Sequence, residues 1–272
     1  MFRFTRRGTV EYAEAGEFST PDFVTHAFCT RREGVSGEPF SSLNTGFLVG
    51  DRKEAVQRNL ALVREAFAIP EGRLILMKQV HGDRIRVLDG TGPLPEGFPE
   101  CDGLITDRPG VALGIRTADC APLFFVDRVR RVIGAAHAGW RGTALGIAGR
   151  MVDLLKERFS SRGAEMKVFI GPAIGPCCYE VDAPVFAAFS SHRGADRFLT
   201  PCPGRERWML NLPLANRLQL AGRGVPEENI LSAECCTACL PDLFFSHRTG
   251  GGRTGRQLNL LMLREGWDPK SA

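Results

Sequence analysis

Three short apolar runs in this chain each lead to a side chain able to bind a metal. Leu74-Ile75-Leu76-Met77 passes through Lys78-Gln79-Val80 to His81. Val111-Ala112-Leu113-Gly114-Ile115 passes through Arg116-Thr117-Ala118-Asp119 to Cys120. Val132-Ile133-Gly134-Ala135-Ala136 ends directly on His137. Runs of this length, closed by glycine and polar residues, read as buried strands. Strand ends can converge on one rim of a sheet, where open α/β sheets keep their binding crevices. Two imidazoles and one thiolate suffice for a catalytic zinc, because three protein ligands leave the fourth tetrahedral position open. A lone Cys is ordinarily core filling, and a lone His has a similar bland reading, so the argument rests on the three together.

The rest of the pattern is mixed. Helical spacing predicts helices over about 54–67, 143–159 and 212–221. Strand-type runs cover 85–88, 110–115, 123–126, 131–136 and 166–170, and Asp127-Arg128-Val129-Arg130 reads as the turn of a hairpin whose second arm delivers His137. Strands and helices without regular βαβ alternation predict an α+β fold with mixed sheets flanked by helices. No repeat or low-complexity linker divides the chain, and the Gly/Pro-rich stretch 90–100 reads as a long surface loop. With 272 residues, 43% of them hydrophobic, the chain can bury a substantial core.

A net charge of +4 from 35 basic and 31 acidic residues is too mild to argue for nucleic acid. No apolar stretch reaches membrane-spanning length, since Arg116, Asp119 and Asp127 interrupt the longest candidate. The N-terminal Phe2-Arg3-Phe4-Thr5-Arg6-Arg7 precedes no apolar segment of the kind a secretory signal needs. Nine cysteines, an odd number with two adjacent pairs, fit reduced thiols in a cytoplasm better than a disulfide framework.

Around His137, Gly139 and Gly142 flank Trp140-Arg141 ahead of the predicted Thr143 helix. A helix N-terminus with a fixed guanidinium suits an anion; the bland reading is a tight turn with a surface arginine. Cys236-Thr237-Ala238-Cys239 is a CxxC without a partner pair at zinc-finger spacing, so it reads as buried or spare thiols, as does Cys177-Cys178. The segment 250–256 lacks P-loop order and reads as a solvated loop carrying cations.

Together the segments Lys78-Gln79-Val80-His81-Gly82, Arg116-Thr117-Ala118-Asp119-Cys120 and His137-Ala138-Gly139-Trp140-Arg141-Gly142 form a specific signature. With His26-Ala27-Phe28-Cys29-Thr30-Arg31, Ser42-Leu43-Asn44-Thr45-Gly46, Gly175-Pro176-Cys177-Cys178-Tyr179-Glu180-Val181 and Phe245-Ser246-His247-Arg248, the chain resembles the YfiH-type, laccase-domain family almost end to end. The resemblance implies one catalytic domain over 1–272, with a core similar to the catalytic domain of the cytotoxic necrotizing factor toxins. It implies that His81, Cys120 and His137 form the metal and catalytic centre, with zinc as the metal and copper as the alternative. Within its motifs Arg31, Asn44, Gln79, Arg116, Asp119, Arg141 and Arg248 are candidates for contact with substrate or phosphate. The implied reactions are phosphorolysis of adenosine, inosine, guanosine and 5′-methylthioadenosine, and deamination of adenosine. Purine nucleosides and phosphate would be the partners, for a monomer or small homo-oligomer. Two positions depart from the usual pattern: Arg248 is followed by Thr249 rather than a second arginine, and Asn211 stands where an Asp is frequent.

Two other chemistries use the same residues. A metal-free hydrolase or deamidase would take Cys120 as nucleophile and His137 as base. A copper polyphenol oxidase fits less well, because five histidines with no HxH pair are few for a multicopper centre. The zinc deaminase signature H-x-E with P-C-x-x-C is absent, which leaves Asp119 and Glu180 as candidate acid/base groups.

Overall fold

A computed structural model describes residues 2–16, 23–90 and 92–265. Thr91, within the predicted 90–100 loop, lies outside the described residues. Two six-stranded mixed sheets dominate. The first runs in the order β1 (Phe2–Arg7), β2 (Val10–Ala15), β3 (Val24–Cys29), β15 (Gln257–Leu263), β7 (Ala112–Thr117), β4 (Leu74–Leu76); only the β4–β7 pair is parallel. The second runs β14 (Ile230–Ser232), β10 (Met166–Ile170), β8 (Ala121–Asp127), β9 (Val132–Ala138), β6 (Gly103–Thr106), β5 (Ile85–Leu88), parallel at its two outer pairs. A small antiparallel sheet orders β11 (Glu180–Val181), β13 (Trp208–Leu210), β12 (Leu199–Pro201). This is the α+β architecture the pattern predicts.

Side-chain parity shows how the sheets are buried. Successive residues of a strand face opposite sides. Phe124 and Val126 of β8, Ile133 and Ala135 of β9, and Leu113 and Ile115 of β7 share one cluster between the two sheets. Leu123 and Phe125 face the other way, onto α3 (Ile147–Phe159) through Met151, Val152 and Leu155. On the far side of the first sheet, Leu258 and Leu260 pack with Val63 and Phe67 at the end of α1 (Lys53–Ala66). Both faces are therefore covered at the centre of each sheet, which explains why β8, β9 and β15 are buried along their whole length rather than alternately.

The predicted hairpin forms: β8 and β9 pair antiparallel, and Asp127 Oδ1 accepts from the backbone N–H groups of Val129 and Arg130 at 2.9 Å. The predicted 143–159 helix is two helices. A short α2 (Trp140–Ala144) is separated from α3 by Gly146, whose φ of +85° breaks the ladder. The third predicted helix is α6 (Leu212–Gly222), past the short helices α4 (Ala183–Phe189) and α5 (Ala195–Phe198). Asn211 caps α6, its side chain accepting from Leu214 N–H at 3.1 Å. No helix among the described residues is long and apolar enough to cross a membrane.

Candidate metal centre at the junction of two sheets

The site forms where the two sheets meet. His81 lies beyond β4 of the first sheet, Cys120 lies in the turn that passes from β7 in the first sheet to β8 in the second, and His137 is the penultimate residue of β9. His137 continues the inward parity of Ile133 and Ala135, so it faces the end of the intersheet layer. The expected single-sheet rim is thus a seam between sheets. There the ligand atoms of His81, Cys120 and His137 lie within 4.8 Å of one another, and the two imidazole rings meet edge to face at 4.9 Å between centroids. His81 is exposed and His137 buried, so the cluster opens to solvent on one side.

Asp102, fully buried just ahead of β6, organises this seam. Its Oδ1 bonds His137 Nδ1 at 2.8 Å and accepts the His81 N–H at 3.0 Å; its Oδ2 accepts Val80 N–H at 3.1 Å and Gly82 N–H at 2.8 Å. The antiparallel β6–β9 register adds His137 N–H to Asp102 carbonyl at 2.8 Å. A carboxylate on one ring nitrogen fixes the tautomer and turns the other nitrogen outward, the usual arrangement behind a metal-binding histidine. Sequence reasoning leaves Asp102 out of the site, although Asp102-Gly103 is one of the segments that carry the family resemblance and a charge stands there directly before the apolar Gly103-Leu104-Ile105 run.

The turns carrying two of the donors are strained. His81 has φ +60° and Asp119, beside Cys120, has φ +82°. Such conformations cost about 1–3 kcal/mol each and persist only where surrounding bonds hold them. Asp102 holds the first. The second is held by the Asp119 carboxylate, which accepts Thr237 Oγ1–H at 2.7 Å and Arg248 N–H at 2.7 Å, and by its carbonyl, which accepts Ile174 N–H at 2.9 Å. Gly139 supplies the space. A Cβ there would sit 2.9 Å from Cys120 Sγ and 3.2 Å from His81 Cδ2, at the edge of the donor cluster.

The electrostatics couple Cys120 to His137. Burial pushes the Cys120 thiol up, but the His137 charge and hydrogen bonds from both histidines prevail and bring it down to about 6. Burial pushes His137 down, but the Cys120 thiolate and the Asp102 carboxylate prevail and lift it to about 9. Each group thus favours the charged form of the other, a thiolate on Cys120 beside an imidazolium on His137. The donor set, its closeness and the gap at Gly139 fit a zinc-class ion held by His81, Cys120 and His137.

Two guanidiniums make no carboxylate ion pair among the described residues: Arg116, which donates to the Met77 carbonyl at 2.6 Å, and Arg256, which donates to the Thr254 and Gly255 carbonyls at 2.9 and 2.8 Å. Burial and each other's proximity hold Arg116 below its ordinary value; burial does the same to Arg256, against the nearby charges of Cys120 and Asp119. Gln79 clamps the Arg116 backbone at both its N–H and carbonyl, at 2.9 and 2.8 Å, and the Arg116 side chain lies over Phe98 at 5.3 Å. Asn44, fully buried, accepts Arg256 N–H at 2.9 Å, and the Thr45 N–H and hydroxyl both donate to the Arg256 carbonyl. The end of the 250–256 loop is thus pinned rather than solvated, and Arg256, on which the Cys120 and Asp119 charges act, is missing from the sequence candidates.

The remaining candidates hold loops together or stack on rings. Arg31 donates to the carbonyls of Ser41 and Pro241 at 2.6 and 3.0 Å, a strap between loops. Arg248 donates to the Glu180 carbonyl at 2.9 Å and lies over Tyr179 at 5.3 Å, while the Glu180 carboxylate engages Arg205 at 3.1 Å. Arg141 is exposed inside α2, not ahead of a helix, and its guanidinium stacks on Trp140 at 4.3 Å. The cysteines expected to be spare thiols are gathered instead: Cys177, Cys178, Cys236 and Cys239 form a second cluster, with all sulfurs within 4.8 Å of one another.

Fold and site define a mixed α+β protein built on two six-stranded sheets, with two histidines and a cysteine gathered at their junction that could hold a metal. The chain belongs to the family described as multi-copper polyphenol oxidoreductase laccase, whose model matches residues 25–264. It is 42% identical over 248 residues to the purine nucleoside phosphorylase YlmD of Geobacillus stearothermophilus, covering 88% of this chain and 89% of that protein. It is 33% identical to the purine nucleoside phosphorylase YlmD of Bacillus subtilis, with 89% of each chain covered. The crystal structure of the Bacillus licheniformis hypothetical protein YfiH superposes with a TM-score of 0.88 at 35% identity, covering 97% of this chain and 99% of that one.

Proposed function

We propose that this chain is a purine nucleoside phosphorylase that acts on adenosine, inosine, guanosine and 5′-methylthioadenosine, and that it also deaminates adenosine to inosine. The centre is His81, Cys120 and His137 holding zinc, in a chain whose nine free thiols suit the reducing cytoplasm. The observation that carries the reading is the meeting of these three donors beside the Arg256 guanidinium, with Arg116 next to it in turn. The naming of the YlmD relatives supports the substrate class.

When bound, a zinc-class ion supplies a Lewis acid with one open position. The chain's own residues do the rest. Asp102 keeps His137 Nδ1 occupied so that Nε2 faces the centre. Arg116 and Arg256 attract phosphate and hold it by charge-assisted bonds. In phosphorolysis a phosphate oxygen bonds to C1′ of the ribose as the C1′–N9 bond breaks, and the departing base takes up a proton.

Incubating purified protein with adenosine, with and without phosphate, tests this by product chromatography. Adenine with ribose-1-phosphate is expected only when phosphate is present, and inosine with or without it. Failure of the metal-loaded protein to release base from any of the four nucleosides overturns it.

A second reading rests on the line Cys120–His137–Asp102, which also suits a metal-free thiol hydrolase. Chelation separates the two: it stops a zinc enzyme and frees the Cys120 thiolate of a thiol hydrolase.

A further inference from the structure

The four-cysteine cluster stands apart from the donors described above, and its assembly follows from the second sheet. β10 and β14 are parallel neighbours, with Val168 opposite Ile230 and Ile170 opposite Ser232. The loops that leave them therefore start side by side and run in the same direction. Their pairing continues past the strands: Ala173 N–H donates to the Cys235 carbonyl at 3.2 Å, and Thr237 N–H donates to the Ala173 carbonyl at 3.1 Å. One loop then turns through Gly175, whose carbonyl accepts the Cys178 and Tyr179 N–H groups, and presents Cys177 and Cys178. The other closes a tight turn from Cys236 to Cys239, with Cys239 N–H on the Cys236 carbonyl at 3.2 Å.

Cys178 Sγ lies 3.4 Å from Cys239 Sγ, and Cys177 Sγ lies 3.6 Å from it. A disulfide needs about 2.05 Å, so no pair is bonded. A tetrahedral ion with Zn–S bonds of ~2.3 Å requires sulfurs about 3.8 Å apart, close to the spacing found. Gly175 N–H also points at Cys236 Sγ at 3.3 Å, a backbone donor suited to a thiolate. Cys177 and Cys239 are exposed, so an ion can enter from solvent.

We propose that Cys177, Cys178, Cys236 and Cys239 form a second metal centre, a closed four-thiolate site for a zinc-class divalent cation. With four protein ligands it has no open position, so its role is structural. Loading is ligand exchange: the cation displaces the thiol protons to solvent, and no oxidation state changes. The ion would brace the catalytic rim, because the same two loops hold the turn that carries Cys120. Thr237, between the CxxC cysteines, bonds Asp119 Oδ1, and Ile174, just ahead of Gly175, bonds the Asp119 carbonyl.

Cobalt reports thiolate ligands by an intense charge-transfer absorption, so it separates the two centres. The full chain, stripped by chelator under reductant, is reloaded with Co(II) alongside a Cys120→Ser variant, which removes the single thiolate of the first centre. The wild type should take up about two cobalt ions per chain. The Cys120→Ser protein should keep about one, with most of the charge-transfer intensity, and Cys236→Ser should lose that intensity. A Cys120→Ser protein without thiolate-to-cobalt absorption overturns the proposal, and that measurement needs no substitution in the cluster itself. So does alkylation of all four cluster cysteines at free-thiol rates after reloading.

Discussion

The Asp102 carboxylate meets His137 Nδ1 at 2.8 Å with both groups buried, and the same carboxylate accepts the His81 N–H. One side chain thus aims one donor and fixes the turn of another. Replacing Asp102 by Asn keeps the shape but puts an amide where the carboxylate accepts three backbone N–H groups and orients the imidazole. Zinc affinity at this centre should fall about 10–100-fold, the usual cost of losing a carboxylate behind a metal-bound histidine. Competition against a chromophoric chelator measures it, and unchanged affinity would remove Asp102 from the centre.

Gly139→Ala should disable the centre by crowding alone. Gly139 has φ −74°, which alanine adopts freely, so backbone strain is not introduced. The new methyl would lie 2.9 Å from Cys120 Sγ. Metal content at this centre and both reactions should drop, with the circular dichroism spectrum unchanged. Full metal occupancy in Gly139→Ala would show that the donors have more room than this geometry allows.

In metal-stripped protein, Cys120 should react with iodoacetamide half-maximally near pH 6, far below an ordinary thiol. The sign follows from the pairing: His137, lifted to about 9, is protonated in this range and favours the thiolate. Reactivity should fall as pH drops through about 6 and the thiolate takes up a proton. Rebinding zinc should protect it. Peptide-resolved mass spectrometry separates Cys120 from the other eight thiols, and a half-maximum near pH 9 would refute the pairing.

Phosphate should be read by Arg256 more than by Arg141. Arg256 acts directly on the Cys120 and Asp119 charges, whereas Arg141 lies over Trp140 at 4.3 Å and its charge acts on Tyr179. A charge-assisted bond contributes about 1.5–3 kcal/mol, or roughly ten- to a hundredfold in affinity. Arg256→Gln should raise the phosphate KM by about that factor and leave inosine formation much less affected. Arg141→Ala should shift phosphate KM less, and the reverse order would return the phosphate site to α2.

The meeting of His81, Cys120 and His137 is legible in the sequence because each follows a short apolar run, and strand ends are where such runs can meet. Asp102 is not, since it reaches His137 only through the β6–β9 register, 35 residues away in sequence. Nor is the cysteine cluster, which depends on β10 and β14 lying side by side. The central strand β15 carries the sequence Gln257-Leu258-Asn259-Leu260-Leu261-Met262-Leu263, and leucine and methionine favour helix. Burial between β3 and β7 overrides that preference. The 143–159 helix was misjudged because one glycine at positive φ divides it while its apolar spacing continues.

The most direct measurement compares zinc-loaded wild type with Cys120→Ala in phosphate-dependent release of adenine from adenosine and in formation of inosine. The substitution removes one donor from the seam and little core volume. Both products should disappear, with the secondary structure intact by circular dichroism. A folded Cys120→Ala protein that releases adenine at the wild-type rate would contradict a centre built on His81, Cys120 and His137.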